Sequence, residues 1–144
     1  MSRLTPVNYA LGEAKLDTIA NPALGASIVI TVPAGRLWRP RAIALRLTTS
    51  AAVATRTPYI DVQDSGTALY LRAPQLNGIP AATPGDFTWS IAAAVTTAGA
   101  LGFQAGLGDV LMLAGHRFTV SAINLQAGDQ FSAIRFHYEE WLVT

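Results

Sequence analysis

Apolar and polar residues alternate along most of this chain, and the alternating runs are separated by glycine, proline and acidic turn residues. A period of two places successive side chains on opposite faces of a β-strand. The apolar positions of these runs are Ile28, Ile30 and Val32; Ile43, Leu45 and Leu47; Ile60 and Val62, with Leu69 and Leu71 after a turn; Phe87, Trp89 and Ile91; Phe118, Val120 and Ala122; and Ile134, Phe136, Tyr138 and Leu142. No long stretch combines the start and stop signals of a helix. The pattern predicts an all-β fold, an antiparallel β-sandwich with these residues facing its core.

Two segments of the chain resemble each other. Residues 34–45 and 114–125 both read Ala-Gly, two residues, an aromatic, three residues and Ala-Ile-x-Leu. Each predicts a glycine turn that leads into a strand whose aromatic residue, Trp38 or Phe118, enters the core. Two similar turns of this kind indicate equivalent corners of a jelly roll or a similar Greek-key sandwich.

The length of 144 residues fits one domain, which buries roughly two-thirds of the surface of the unfolded chain. Residues 1–24 lack alternation, and we expect them to form an N-terminal arm outside the sandwich that serves attachment more than folding. The alternative is one short helix from Leu11 to Ala20. Residues 25–144 then form the single sandwich domain. Residues 73–86 are a long connection rich in Pro, Gly and Ala, which is typical of loops that contact partners.

The charge of the chain argues against two classes of partner. A net charge of +1 with 13% charged residues is too neutral to attract nucleic acid or an anionic membrane. The uncharged stretch Phe87–Gly108 is long enough to span a bilayer, but Ala, Gly, Thr, Ser and Gln dominate it. It favours a strand followed by a loop of small residues. Nine of the ten basic residues are arginine, the cation that is enriched at protein interfaces.

Motifs for metal binding are incomplete. The chain has no cysteine, which excludes a disulfide scaffold and thiolate ligands. Asp61, Asp64 and Gly66 lack the spacing of a calcium loop, and we expect Asp64 to begin a hairpin turn. His116 and His137 have no supporting carboxylate spacing for zinc.

Motifs for catalysis and for the binding of single-stranded nucleic acid are also incomplete. Glu139 and Glu140 are adjacent, so on a strand they face opposite ways and cannot form an acid/base pair. We expect Glu140 to pair with an arginine of a neighbouring strand. Arg36–Arg41, "RLWRPR", interleaves arginine with tryptophan as single-strand binders do, but packing at the start of a strand is the favoured interpretation. We expect no catalytic, cofactor-binding or metal residue, and therefore no enzyme.

Several short motifs occur together here: Pro33-Ala34-Gly35-x-x-Trp38, residues 47–51 (LTTSA), the hairpin with Asp61 and Asp64-Ser65-Gly66, and residues 124–130 (NLQAGDQ) followed by Glu139-Glu140-Trp141. Over residues 25–142 the chain resembles small structural proteins of tailed bacteriophages. It is similar in size and all-β character to jelly-roll capsid decoration (cement) proteins, which sit as trimers on the capsid. The resemblance implies a virion protein that is made in the host cytoplasm and lies on the capsid surface. Its implied partners are the major capsid protein and further copies of itself in a homotrimer.

A second hypothesis belongs to another class. A sandwich at a tail tip or fibre could bind host surface polysaccharide, with Trp38, Trp89 and Trp141 as stacking platforms. Trp38 and Trp89 are in register with apolar neighbours, which favours core positions for these two.

Overall fold

The computed structural model describes residues 12–92, 96–98 and 102–143, of which residues 96–98 are described by their backbone alone. Within these ranges the chain forms ten strands. They are β1 (Glu13–Ile19), β2 (Ile28–Thr31), β3 (Arg36–Thr48), β4 (Thr57–Gln63), β5 (Leu69–Pro74), β6 (Pro84–Ser90), β7 (Thr96–Ala98), β8 (Gly102–Gly106), β9 (Arg117–Ile123) and β10 (Gln130–Leu142).

The strands form two sheets, in the orders β1-β10-β3-β6-β8-β7 and β2-β9-β4-β5. Apart from β7 and β8, the chain crosses between sheets at each connection except the β4–β5 hairpin. This is the strand order of an eight-stranded jelly roll, in which two Greek keys wrap around one core. Strands β7 and β8 extend one sheet beyond β6, and β8 runs parallel to β6 while the other pairs are antiparallel. The predicted all-β, jelly-roll-like sandwich is confirmed.

The core contains the apolar faces that alternation predicts. Buried positions include Ile28, Ile30, Val32, Ile43, Leu45, Leu47, Ile60, Val62, Phe87, Trp89, Phe118, Val120, Ala122, Ile134, Phe136 and Tyr138. Two predicted core residues are exposed instead, Leu69 at 49% and Leu142 at 64%. Leu69 begins an edge strand, and Leu142 is in the last pair of the β3–β10 ladder, where packing ends.

The two similar segments each form a glycine turn before a strand. Gly35 and Gly115 have φ angles of 69° and 83°, in the left-handed region that glycine tolerates best. The turns are adjacent in space, because Val32 exchanges backbone hydrogen bonds with the second turn and directly precedes the first. Trp38 and Phe118 enter the core at 6% and 0% exposure. The predicted turns and buried aromatics are confirmed.

The interpretation of the N-terminal segment needs correction. Residues 13–19 are a strand that pairs with β10 at every position, so the helix alternative is wrong. An arm outside the sandwich is also wrong for these residues, because β1 is the first strand of the jelly roll. The Tyr138 hydroxyl donates a hydrogen bond to Asp17 at 2.8 Å, and Ile19 packs against the core. Residues 1–11 lie outside the described residues.

Two connections also differ from expectation. The β5–β6 connection is residues 75–83, and it is held by the bridge between Ile79, which is 1% exposed, and Arg56. In the stretch predicted to be a strand and a loop, residues 96–98 and 102–106 form two further strands, of which residues 102–106 pair with β6. In the part of the chain that the structure describes, no helix has the length and apolar character needed to cross a membrane.

Candidate functional site

A cleft of about 470 Å³ opens at one end of the six-stranded sheet, lined by Leu37, Arg39, Asp109, Leu111 and Trp141. We call it the Trp141 cleft. Leu37 and Trp141 are direct partners in the β3–β10 ladder. They alternate with Trp38 and Glu140, whose side chains point inward, so the cleft lies on the outer face of the sheet.

The segment before β9 forms the other wall of the cleft. Met112 and Trp38 exchange backbone hydrogen bonds of 2.8 and 2.9 Å, so this segment runs antiparallel to the start of β3. Met112 is buried in the core, and therefore its neighbours Leu111 and Leu113 face outward. They are 53% and 57% exposed, and Val143 beyond Trp141 is 57% exposed. We call Leu111, Leu113, Trp141 and Val143 the apolar patch.

The charges at the rim of the cleft are paired with each other. Arg39 donates two hydrogen bonds to Asp109, with a distance of 2.6 Å from Nε to Oδ1. Glu139 lies 3.6 Å from Arg39 and 3.8 Å from Arg41. The hydrogen bond from Arg39 lowers the pKa of Asp109, so this carboxylate is ionised at neutral pH. The arginines of "RLWRPR" therefore have acidic partners within the subunit, as packing at the start of a strand predicts.

Glu140 supports the cleft from the inner side of the sheet. It accepts hydrogen bonds from Arg36 at 3.1 Å and from Trp38 Nε1 at 2.8 Å. The predicted ion pair between Glu140 and an arginine of a neighbouring strand is confirmed. A carboxylate with these partners fixes the ends of β3 and β10 relative to each other.

The tryptophans separate into core and surface. Trp38 and Trp89 are buried, and Trp89 Nε1 donates to the Ala73 carbonyl at 3.1 Å. Trp141 is half-buried, and its Nε1 is a buried atom without a hydrogen-bond partner among the described residues. Of the three residues considered as stacking platforms, Trp141 is the one that lines the cleft described above.

The two histidines lie apart in the fold. His116 precedes β9, and its Nδ1 is 2.9 Å from the Tyr70 hydroxyl, whereas His137 is exposed on β10 in the other sheet. Asp64 accepts hydrogen bonds from the Ala68 and Thr67 amides, which confirms its role in the hairpin turn. The described residues contain no group of three His, Cys, Asp or Glu side chains able to hold a metal ion.

Sequence reasoning missed one buried pair, Arg56 and Asp129, whose side chains are both 0% exposed. Asp129 accepts hydrogen bonds from Arg56 and from the amides of Ser50 and Gln126. Arg56 also donates to the carbonyls of residues 52 and 54. The pair joins the β3–β4 and β9–β10 connections. The pair could not be predicted from a local sequence pattern, because 73 positions separate the two residues.

The chain matches no protein-family model, no curated protein and no solved structure. The Trp141 cleft offers an apolar floor, an indole and a preformed ion pair. Such a surface suits an apolar side chain or a flat ring with polar edges.

Proposed function

We propose that this protein is a structural component of a bacteriophage virion, acting as a capsid decoration protein that bridges major capsid subunits. The observation that carries the proposal is the apolar patch around the Trp141 cleft. Exposed apolar residues that cluster within a polar rim are typical of interaction surfaces. The rim here can be covered by a partner without burying an unpaired charge, since Arg39 and Arg41 already neutralise Asp109 and Glu139.

The resemblance to small phage structural proteins supplies the biological context, and the jelly roll is consistent with it. Cement proteins stabilise a head by burying surface between neighbouring subunits, at roughly 25 cal/mol per Å² before association costs are subtracted. We propose that Leu111, Leu113 and Val143 supply this area and that the cleft receives an apolar side chain of the major capsid protein.

Quantitative mass spectrometry of purified virions tests the proposal. A decoration protein is present in tens to hundreds of copies per particle, whereas its absence or a handful of copies would exclude the decoration role. The double variant Leu111→Gln/Leu113→Gln should lower the copy number at least tenfold. The matched control Val53→Gln/Leu76→Gln changes two residues that are 98% and 72% exposed elsewhere, and it should leave the copy number unchanged.

Trp141 favours a second candidate, a tail or fibre module that binds host surface polysaccharide. A half-exposed indole beside Arg39 and Asp109 combines an apolar ring with planar polar groups, which a sugar ring can use. This candidate requires binding on a glycan array that Trp141→Ala abolishes, together with only a few copies per virion. Binding to no glycan would remove it.

A further inference from the structure

The first strand leaves one edge of the six-stranded sheet open. Among the strands that the structure describes, β1 pairs with β10 on one side and with none on the other. An unpaired edge presents backbone N–H and C=O groups to any strand of matching length. β1 is seven residues long, contains no proline, and has Leu16 at its centre with 70% exposure. In the part of the chain that the structure describes, this edge is therefore open to strand addition.

We propose that a second copy of this chain occupies this edge, with the two β1 strands antiparallel about a twofold axis at Leu16. The axis is perpendicular to the sheet, so the inner faces of both sheets lie on the same side. In this register Leu16 meets Leu16 of the partner subunit, and Lys15 lies opposite Asp17 of the partner subunit. The same contact forms twice, as a twofold interface requires.

The charges of β1 select this register. Lys15 and Asp17 are the direct partners of Tyr138 and Phe136, so both lie on the inner face of the sheet, while Leu16 lies on the outer face. Opposite charges directly across two strands are favourable, and like charges are unfavourable. An axis at Lys15 would place two lysines opposite each other, and an axis at Asp17 would place two aspartates opposite each other. The axis at Leu16 gives two Lys–Asp pairs and overlaps all seven residues of β1, whereas an axis at Ala14, which would pair Lys15 with Glu13 of the partner subunit, overlaps only three. Charge and strand length together therefore favour the axis at Leu16.

Both side chains are held in position before the second copy arrives. Lys15 Nζ lies 2.6 Å from Glu13 Oε1 on the same face of the sheet. Asp17 Oδ2 accepts a hydrogen bond from the Tyr138 hydroxyl. Asp17 Oδ1 accepts no hydrogen bond from the described residues, so it is available to a lysine across the edge. Preorganised side chains lose less conformational entropy when an interface forms.

The inference does not rest on the proposed function, since the β1 edge and the Trp141 cleft are different surfaces. The proposed contact between two β1 strands gives a dimer, in contrast to the trimer that the family resemblance implies. A small interface of this kind falls at the weak end of specific contacts. We therefore expect a dissociation constant in the micromolar range, and a monomer–dimer equilibrium over about 1 to 200 µM.

Sedimentation velocity and native mass spectrometry of the full chain over that range test the inference. Lys15→Asp alone makes both charged positions acidic, and Asp17→Lys alone makes both basic. Each variant should weaken self-association at least tenfold, while an equimolar mixture of the two should form heterodimers. The double variant Lys15→Asp/Asp17→Lys should self-associate again. Arg46→Asp on β3 makes the same change in net charge as Lys15→Asp but lies two strands away from the β1 edge, and it should leave the dimer intact.

Several results would overturn the inference. They are a monomer across the whole range, a trimer, a dimer that neither single variant weakens, or single variants whose mixture does not associate. Circular dichroism verifies that each variant is folded. If Asp17→Lys unfolds because the Tyr138 hydroxyl loses its acceptor, Leu16→Asp replaces it. This variant places two carboxylates on the axis, and a dimer that tolerates it would equally exclude the proposed register.

Discussion

At the scale of single residues, Arg56 and Asp129 form the ion pair of the described residues in which both side chains are fully buried. The carboxylate also accepts hydrogen bonds from two backbone amides. Removing one partner of a buried ion pair leaves the other charged and unpaired, which costs about 3–5 kcal/mol. Exposed pairs with the same bidentate geometry contribute about 0–1 kcal/mol. Burial therefore decides which Asp–Arg pair matters for stability.

Asp129→Asn should lower the free energy of unfolding by about 3–5 kcal/mol, because Arg56 then remains buried without a counter-charge. Its matched control is Asp86→Asn, which breaks the exposed pair with Arg46 and should cost less than about 1 kcal/mol. Urea denaturation of both variants measures the difference. Equal losses in the two variants would contradict the assignment of Arg56 and Asp129 as the buried structural pair.

The faces of β10 give a second prediction. Phe136 is 0% exposed, and its ring lies 5.0 Å from that of Phe118 in the opposite sheet. Phe136→Ala should cost about 3–5 kcal/mol, since it empties a site that both sheets line. His137 is exposed on the other face, and His137→Ala should cost less than about 0.5 kcal/mol. A larger loss for the histidine variant in thermal melts would mean that the faces are reversed.

The residues whose burial was predicted correctly from the sequence share one property, which is that the signal lies in the residues next to them along the chain. The burial of Ile43, Phe87 and Phe136 can be predicted because apolar and polar residues alternate in the sequence immediately around each of them. Arg56, Asp129 and Asp109 could not be assigned in this way, because each depends on a partner dozens of positions distant along the chain. The Trp141 cleft was missed for the same reason, as Arg39 and Asp109 are 70 positions apart.

At the scale of elements, β1 shows where alternation fails as a signal. Its inward positions are Glu13, Lys15, Asp17 and Ile19, so three of four are charged. These side chains are tolerated at the sheet edge, where Glu13 and Asp17 remain exposed. Inward-pointing charges are one of the devices by which proteins limit the pairing of edge strands. In β1 they also restrict pairing to partners of complementary charge.

Deleting residues 1–24 should destabilise the domain by roughly 2–4 kcal/mol, in contrast to the neutral effect that the sequence pattern predicted. The deletion removes the packing of Ile19 and leaves the Tyr138 hydroxyl without its acceptor. Deleting residues 1–11 retains β1 and is the matched control. Thermal melts at low protein concentration, where dimers are dissociated, measure the effect. An unchanged melting midpoint for the longer deletion would restore the interpretation of an arm that folding does not need.

At the scale of the whole molecule, the strand order joins the two ends of the described chain. β10 lies between β1 and β3, so the last described strand pairs with two strands from the first third of the chain. Asp129 stands immediately before β10 and ties its start to the β3–β4 connection. Loss of this contact should therefore release a strand that is paired on both sides and weaken the whole sandwich.

Acid should weaken the sandwich through this same carboxylate. Burial alone would raise the pKa of Asp129, but hydrogen bonds from Arg56 and from the Ser50 and Gln126 amides outweigh it and lower the pKa from 3.8 to about 2. A folded-state pKa below the unfolded value stabilises the folded protein above pH 3.8, here by about 2 kcal/mol, and this contribution disappears as the pH falls towards 2. We expect the melting midpoint to fall between pH 4 and 2, with a shallower fall in Asp129→Asn, which has no carboxylate to protonate at this position. Equal slopes for the two proteins in differential scanning calorimetry would show that other carboxylates, such as Asp86 and Asp109, control the acid unfolding.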